Sequence, residues 1–99
     1  ALPILSGYRI HRQVTEFGEH VRGWRMVLGL TAQQVSERAG ITRDTLRKIE
    51  SGNPNVSFNS VTQVLRALGI LDQLVDAADP LASDIGRLRA GRLTRKRAR

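Results

Sequence analysis

The 99-residue sequence predicts an all-α protein. Three observations lead there. Apolar residues recur at helical spacing in several windows, those windows are bounded by Gly, Pro, Ser or Thr, and no alternating apolar–polar run is long enough for a strand. The length holds one domain and leaves no room for a second independent core.

Residues 1–14 show no clean period and contain Pro3 and Gly7, so they read as an extended N-terminal arm. Thr15 reads as the N-cap of a first helix, in which Phe17, Val21, Trp24 and Leu28 are spaced by four, three and four and share one face. That stripe assigns Trp24 to the core rather than to stacking on a base. Gly29 ends the helix. A second helix follows Thr31, where Thr31 and Gln34 fit a capping box, each side chain satisfying a backbone N–H near the other. Val35 and Ala39 supply its inner face, and Ser36 is small enough for a close helix contact. Gly40 ends it at a position that needs a positive φ, which glycine adopts at little cost.

Only Gly40 and Ile41 separate this helix from the next, which Thr42 caps. Leu46 and Ile49 face inward and, with Ile41, anchor it, whereas Arg43, Asp44, Arg47 and Lys48 lie on other faces. Gly52, Asn53 and Pro54 end it, because proline biases the residue before it away from helix. Ser57 caps a fourth helix with Val61, Val64, Leu65 and Leu68 inward, closed by Gly69. A short fifth helix is expected over 71–78, before Pro80, and a weak last one over 83–90. The predicted organisation is therefore an arm (1–14), a helical domain (15–79) and a basic tail (80–99).

The net charge of +7 is unevenly distributed. Basic and acidic residues cancel over 1–84, so the excess lies in Arg87, Arg89, Arg92, Arg95, Lys96, Arg97 and Arg99. Such a tail seeks polyanions or an acidic protein surface, or stays a solvated arm. There are no cysteines, which excludes disulfides and thiolate metal sites. His11 and His20 have no carboxylate pattern around them, no phosphate-binding or nucleophile motif is present, and no apolar run reaches the ~20 residues of a membrane span. The expectation is a cytoplasmic protein, nucleoid-associated when bound to DNA, that is no enzyme and uses no metal or cofactor.

Two short helices joined by a glycine-centred turn, the second polar and basic on its outer side, are what reading double-stranded DNA requires. The first braces the second, which lies in the major groove. The segment from Arg25 to Gly52, with Leu30-Thr31, Val35, Gly40-Ile41, Leu46, Ile49-Glu50 and Gly52 in register, resembles the Cro/lambda-repressor (Xre) helix-turn-helix family. The resemblance implies a five-helix lambda-repressor-like DNA-binding domain over about 17–74 and a structural ion pair between Arg25 and Glu50. It also implies base contacts from Arg43, Asp44 and Lys48, with Arg47 and Thr42 close by, in a reading helix over 42–51. Arginine can bond a guanine edge bidentately and Asp44 can accept from cytosine N4. Asp44 can equally serve as a favourable charge at a helix N-terminus.

This chain departs from the family at Ala32, where glutamine often contacts DNA; Gln33 or Gln34 would have to replace it on phosphate. Asn55 and Ser51 are further phosphate candidates, while Asn53 fits simple turn chemistry. A single small reading domain makes few contacts, so a homodimer is expected. The stretch 79–89, Asp-Pro-Leu-Ala-Ser-Asp-Ile-Gly-Arg-Leu-Arg, resembles tails of Xre-type proteins encoded beside HipA-like kinase toxins. That resemblance implies a HipB-like antitoxin with a toxin kinase as partner, and tail contacts through Arg87, Arg89, Arg95, Lys96 and Arg97.

Overall fold

The computed structural model describes residues 3–93, with side chains from Gly7 onward. The regular structure includes six α-helices and one 3-10 helix, α1 (Pro3–Val27), α2 (Ala32–Ala39), α3 (Arg43–Glu50), α4 (Phe58–Leu68), α5 (Leu71–Ala77), the 3-10 helix (Pro80–Ala82) and α6 (Asp84–Leu88), and residues 91–93 are helical as well. The described residues contain no strand. The chain divides between Gly69 and Ile70 into two compact units.

In the first unit, the helix ends follow the capping residues. Thr31 Oγ1 accepts from the Gln34 N–H at 3.0 Å while Gln34 Oε1 accepts from the Thr31 N–H at 2.8 Å, completing the capping box. Thr42 and Ser57 cap α3 and α4 in the same sense, accepting from Thr45 and Ser60 at 3.1 Å each. Gly40 takes φ +69°, and its N–H and that of Ile41 donate to Glu37 and Ser36 carbonyls, closing α2 and turning the chain into α3.

The core consists of Val21, Val35, Ala39, Leu46, Ile49, Val64, Leu65 and Leu68. Helix α2 packs on α4 and α1 packs on α3. Ser36 is buried within this packing, which it tolerates because its hydroxyl donates to the Ala32 carbonyl at 2.8 Å. Arg66 of α4 donates to the Arg38 carbonyl at 2.8 Å, tying α4 to the end of α2.

Two expectations for α1 need correction. Residues 3–14 form no extended arm; the helix is continuous from Pro3 to Val27. Proline suits a first helical position, and after Gly7 nothing in the segment breaks a helix. Thr15 is therefore no N-cap. Its hydroxyl donates back to the His11 carbonyl at 3.0 Å inside the helix, and the Arg12–Glu16 pair at 3.3 Å spans the expected boundary.

The second correction concerns the core face. Of the predicted stripe only Val21 is buried, with Phe17, Trp24 and Leu28 37–45% exposed. The contact line runs instead through Gly18, Val21 and Arg25. A Cβ on Gly18 would lie 2.5 Å from the Ile49 carbonyl oxygen and 2.8 Å from that of Glu50. The backbones of α1 and α3 approach this closely only because residue 18 has no side chain, and that approach turns Trp24 and Phe17 to the edge. Gly52 completes the contact at φ +80°, where a Cβ would meet Thr15 Cα at 2.6 Å.

Beside this contact, Arg25 and Glu50 form a bidentate pair, Nε–Oε2 at 2.7 Å and Nη2–Oε1 at 3.0 Å, and Nη1 donates to the Leu30 carbonyl at 3.3 Å. Both side chains are largely buried, 15% and 12% exposed. The hydrogen bonds that Arg25 donates to the Glu50 carboxylate raise the Arg25 pKa, against the opposing effect of burial.

In the second unit, α6 packs on the 3-10 helix. Asp79 accepts from the Leu81 N–H at 2.9 Å, Ser83 caps α6 by accepting from Gly86 at 3.1 Å, and Gly86 sits against the Pro80 carbonyl where a side chain has no room. The weak helix expected over 83–90 is thus α6, ending at Leu88.

Removing one member of the Arg25–Glu50 pair strands the other. Urea unfolding should show Glu50→Ala destabilised by about 3 kcal/mol, whereas replacing both residues with apolar side chains of similar volume should recover most of the loss. A single variant as stable as the parent would mean that water replaces the pair.

Candidate nucleic-acid interface

Helix α3 has two chemically opposed sides. Leu46 and Ile49 are buried, while Arg43, Asp44, Arg47 and Lys48, at i, i+1, i+4 and i+5, share the exposed face. The face therefore owes its orientation to the seating of α3 on α1, and its composition to the residues between the two anchors.

Asp44 lies at the centre of the face. Its Oδ1 accepts from Arg47 Nη2 at 2.5 Å and its Oδ2 lies 3.3 Å from Lys48 Nζ. These hydrogen bonds, Arg47 first and Lys48 second, hold the Asp44 carboxyl below its usual pKa. Asp44 also falls in the first turn of α3, where a negative charge is favoured by the helix dipole. The residue thus serves as counter-ion to two of the cations proposed to meet DNA.

Arg43, at the first position of α3, reaches across to α2, donating to Gln33 Oε1 at 3.4 Å, and Gln33 Nε2 donates to Glu37 Oε1 at 2.8 Å. This links the exposed edges of the two helices. Gln34 is differently committed: its side-chain oxygen belongs to the capping box, leaving its amide nitrogen as donor. Thr42 is likewise occupied as a cap, its hydroxyl also donating to Thr45 Oγ1 at 2.9 Å. Ser51 donates to the Lys48 carbonyl at 3.0 Å. Asn53 accepts from the Asn55 N–H at 2.8 Å, the turn role read from the sequence, and leaves the Asn55 side chain exposed.

Between α1 and α3 lies an open cleft of about 590 Å³ lined by Arg22, Ala32, Arg43, Asp44, Leu46, Arg47, Glu50 and Ser51. Sequence reasoning missed Arg22. The available signal was its place three residues before Arg25, on the flank of α1 that the ion pair turns toward α3.

In the second unit, Arg87 donates to the Leu81 carbonyl at 3.0 Å and pairs with Asp84, so it braces the local turn. Arg89 is exposed. Arg95, Lys96 and Arg97 lie outside the described residues. Among the described residues, no group of three or more His, Asp or Glu side chains could hold a metal ion, and no helix is long and apolar enough to cross a membrane.

The Asp44 cluster makes a testable electrostatic prediction. A depressed pKa means that the carboxylate stabilises the fold at neutral pH. That contribution begins to fall when the pH drops below the unfolded Asp value near 3.9 and is gone below the folded value. An NMR titration of the Asp44 carboxyl should give a midpoint under the ordinary aspartate range, moving up in Arg47→Ala. An unchanged midpoint in that variant would show that the ion pair is not formed in solution.

Comparison with known proteins agrees with this geometry. Residues 16–78 match the profile of a family described as a helix-turn-helix domain. An uncharacterized HTH-type transcriptional regulator from Methanothermobacter thermautotrophicus is 39% identical over 49 residues, covering 50% of this chain and 71% of that protein. No solved structure is significantly similar to the chain. The profile match spans more than half of the sequence and contains α2, the Gly40 turn and α3 whole, so the chain belongs to the helix-turn-helix domain family.

Proposed function

We propose that this protein is a sequence-specific DNA-binding transcriptional regulator of the repressor type, of Xre-like character, which reads the major groove with α3. The observation that carries the reading is the division of α3 itself. One side is fixed to α1 by Leu46, Ile49 and the Arg25–Glu50 pair, and the other presents Arg43, Asp44, Arg47 and Lys48 to solvent. A reading element needs both properties, a rigid seat and a polar face whose donors and acceptors remain exchangeable. The ion pairs of Asp44 are exposed, and exposed pairs are weak, so base edges and phosphates can replace them at little cost.

In this reading Arg43 and Lys48 contact base edges, with Arg47 and Thr42 adjacent and Asp44 accepting from a cytosine amino group. Gln33, the amide nitrogen of Gln34, Asn55 and Ser51 contact phosphate. The protein acts as a homodimer on a near-palindromic site in its own operon, within the cytoplasm, with half-sites about one helical turn (~34 Å) apart or a multiple of it.

A second reading makes the chain an antitoxin whose main task is to neutralise a HipA-like kinase. The specific observation in its favour is the capped turn over 79–88, which leaves Ile85 and Leu88 59% and 85% exposed. An arm built only for phosphate needs no such side chains.

Selection from a random duplex library should yield a two-fold symmetric sequence, with two chains per duplex by sedimentation. Arg43→Ala should lose about 1–3 kcal/mol of discrimination at one position of each half-site. Equal weakening on selected and random DNA would assign Arg43 to the backbone instead. Truncation after Asp84 separates the two readings of the tail. If all seven tail charges touch phosphate, the slope of log K against log salt should flatten by about six, and by about two if two or three do. Loss of kinase capture with an unchanged slope would favour the antitoxin reading.

A further inference from the structure

We infer that the cleft between α1 and α3 seats one phosphate of the DNA backbone, with Arg22 as the group that holds it. The inference rests on the major-groove reading of α3 and adds a contact from a different helix. Three guanidinium groups line the cleft, those of Arg22, Arg43 and Arg47, against the carboxylates of Asp44 and Glu50. Glu50 is already bound bidentately by Arg25, and Asp44 by Arg47 and Lys48. Among the described residues neither Arg22 nor Arg43 makes an ion pair, but Arg43 donates to Gln33, so Arg22 is the guanidinium of the cleft that has no side-chain partner.

The placement of Arg22 follows from the packing of α1. Gly18 presses the α1 backbone against the Ile49 and Glu50 carbonyls, and Arg22 stands one helical turn further along, beside the exposed side of α3. The adjoining wall is Ala32, whose side chain ends at Cβ and leaves the cleft open where a longer residue would enter it. Leu46, at the floor, is buried and fixes the depth. Because α1 is held by its backbone contact, Arg22 cannot descend into the groove with α3. Its reach is to the rim, where the phosphates are. A bidentate arginine–phosphate contact of this kind positions the protein without specifying a base.

The test uses the full chain and compares the parent, Arg22→Gln and Arg22→Lys on a selected duplex and on a random one, with salt varied between about 50 and 200 mM. Arg22→Gln should weaken both complexes by the same factor and lower the salt slope by about one, with the melting temperature unchanged because the side chain is exposed. Arg22→Lys should restore the slope. Parent-like affinity and slope in Arg22→Gln would overturn the inference, as would a loss confined to one base pair of the selected site. Inorganic phosphate at matched ionic strength should not displace the duplex; displacement would identify a pocket for free anions instead and overturn it too. If the parent shows no sequence preference, the major-groove reading fails, while the effect of Arg22 on the salt slope stays measurable on random DNA.

Discussion

Helix α3 is eight residues long and buries only Leu46 and Ile49, too short a segment to hold its own shape in water. Everything the protein can offer a ligand from that helix depends on how it is fastened to α1. Two features do this together. The absence of a side chain at Gly18 lets the two backbones meet at the last turn of α3, and the Arg25–Glu50 pair locks the same turn through two charge-assisted hydrogen bonds. The glycine sets the distance between the helices. The ion pair sets the rotation, because a bidentate pair tolerates little change in angle.

The same chemistry is used in opposite ways on the two sides of the helix. Arg25 and Glu50 are shielded from water, so breaking their contact leaves a charge that nothing else can satisfy. Asp44, Arg47 and Lys48 also form ion pairs, but in solvent, where water or another anion substitutes readily. The buried pair is therefore structural and the exposed ones are exchangeable, although a list of contacts would show them as equivalents. Asp44 keeps the Arg47 and Lys48 cations close to the face. It also imposes a condition on any ligand, which must replace the interactions that those cations give up.

The second unit shows how a short segment acquires structure without a core. Over 79–88 nearly every polar side chain serves the backbone: Asp79 and Ser83 satisfy N–H groups, Arg87 satisfies the Leu81 carbonyl, and Gly86 admits the Pro80 carbonyl. The apolar side chains there are left outside, Leu81, Ile85 and Leu88 among them. Folding of this stretch thus rests on capping and turn chemistry, in contrast to the first unit, where burial holds the helices.

Much of the fold was legible in the sequence because its signals are local. The capping box at Thr31, the caps at Thr42 and Ser57 and the helix-ending glycines each act through neighbours within a few residues, and the inward faces of α2, α3 and α4 follow from helical spacing. The pairing of Arg25 with Glu50 was available through family resemblance, since no local rule connects residues 25 apart. The first residues of α1 were misjudged because a missing apolar period says that a helix is not buried, which differs from saying that no helix forms. Trp24 and Phe17 sit on a correct stripe, but a stripe identifies a face without saying which of its edges meets a partner. Gly18 decided that edge, and its importance lies in the carbonyl oxygens of Ile49 and Glu50 brought against it from another helix. Arg22 and the commitment of the Gln34 oxygen were likewise decided by which elements the packing placed side by side. The sequence by itself determined α2, α3 and α4, their ends and the chemistry of the exposed face of α3. Only the tertiary structure decided which surfaces touch and which residues line the cleft, because those depend on distances between chain segments that no local spacing encodes.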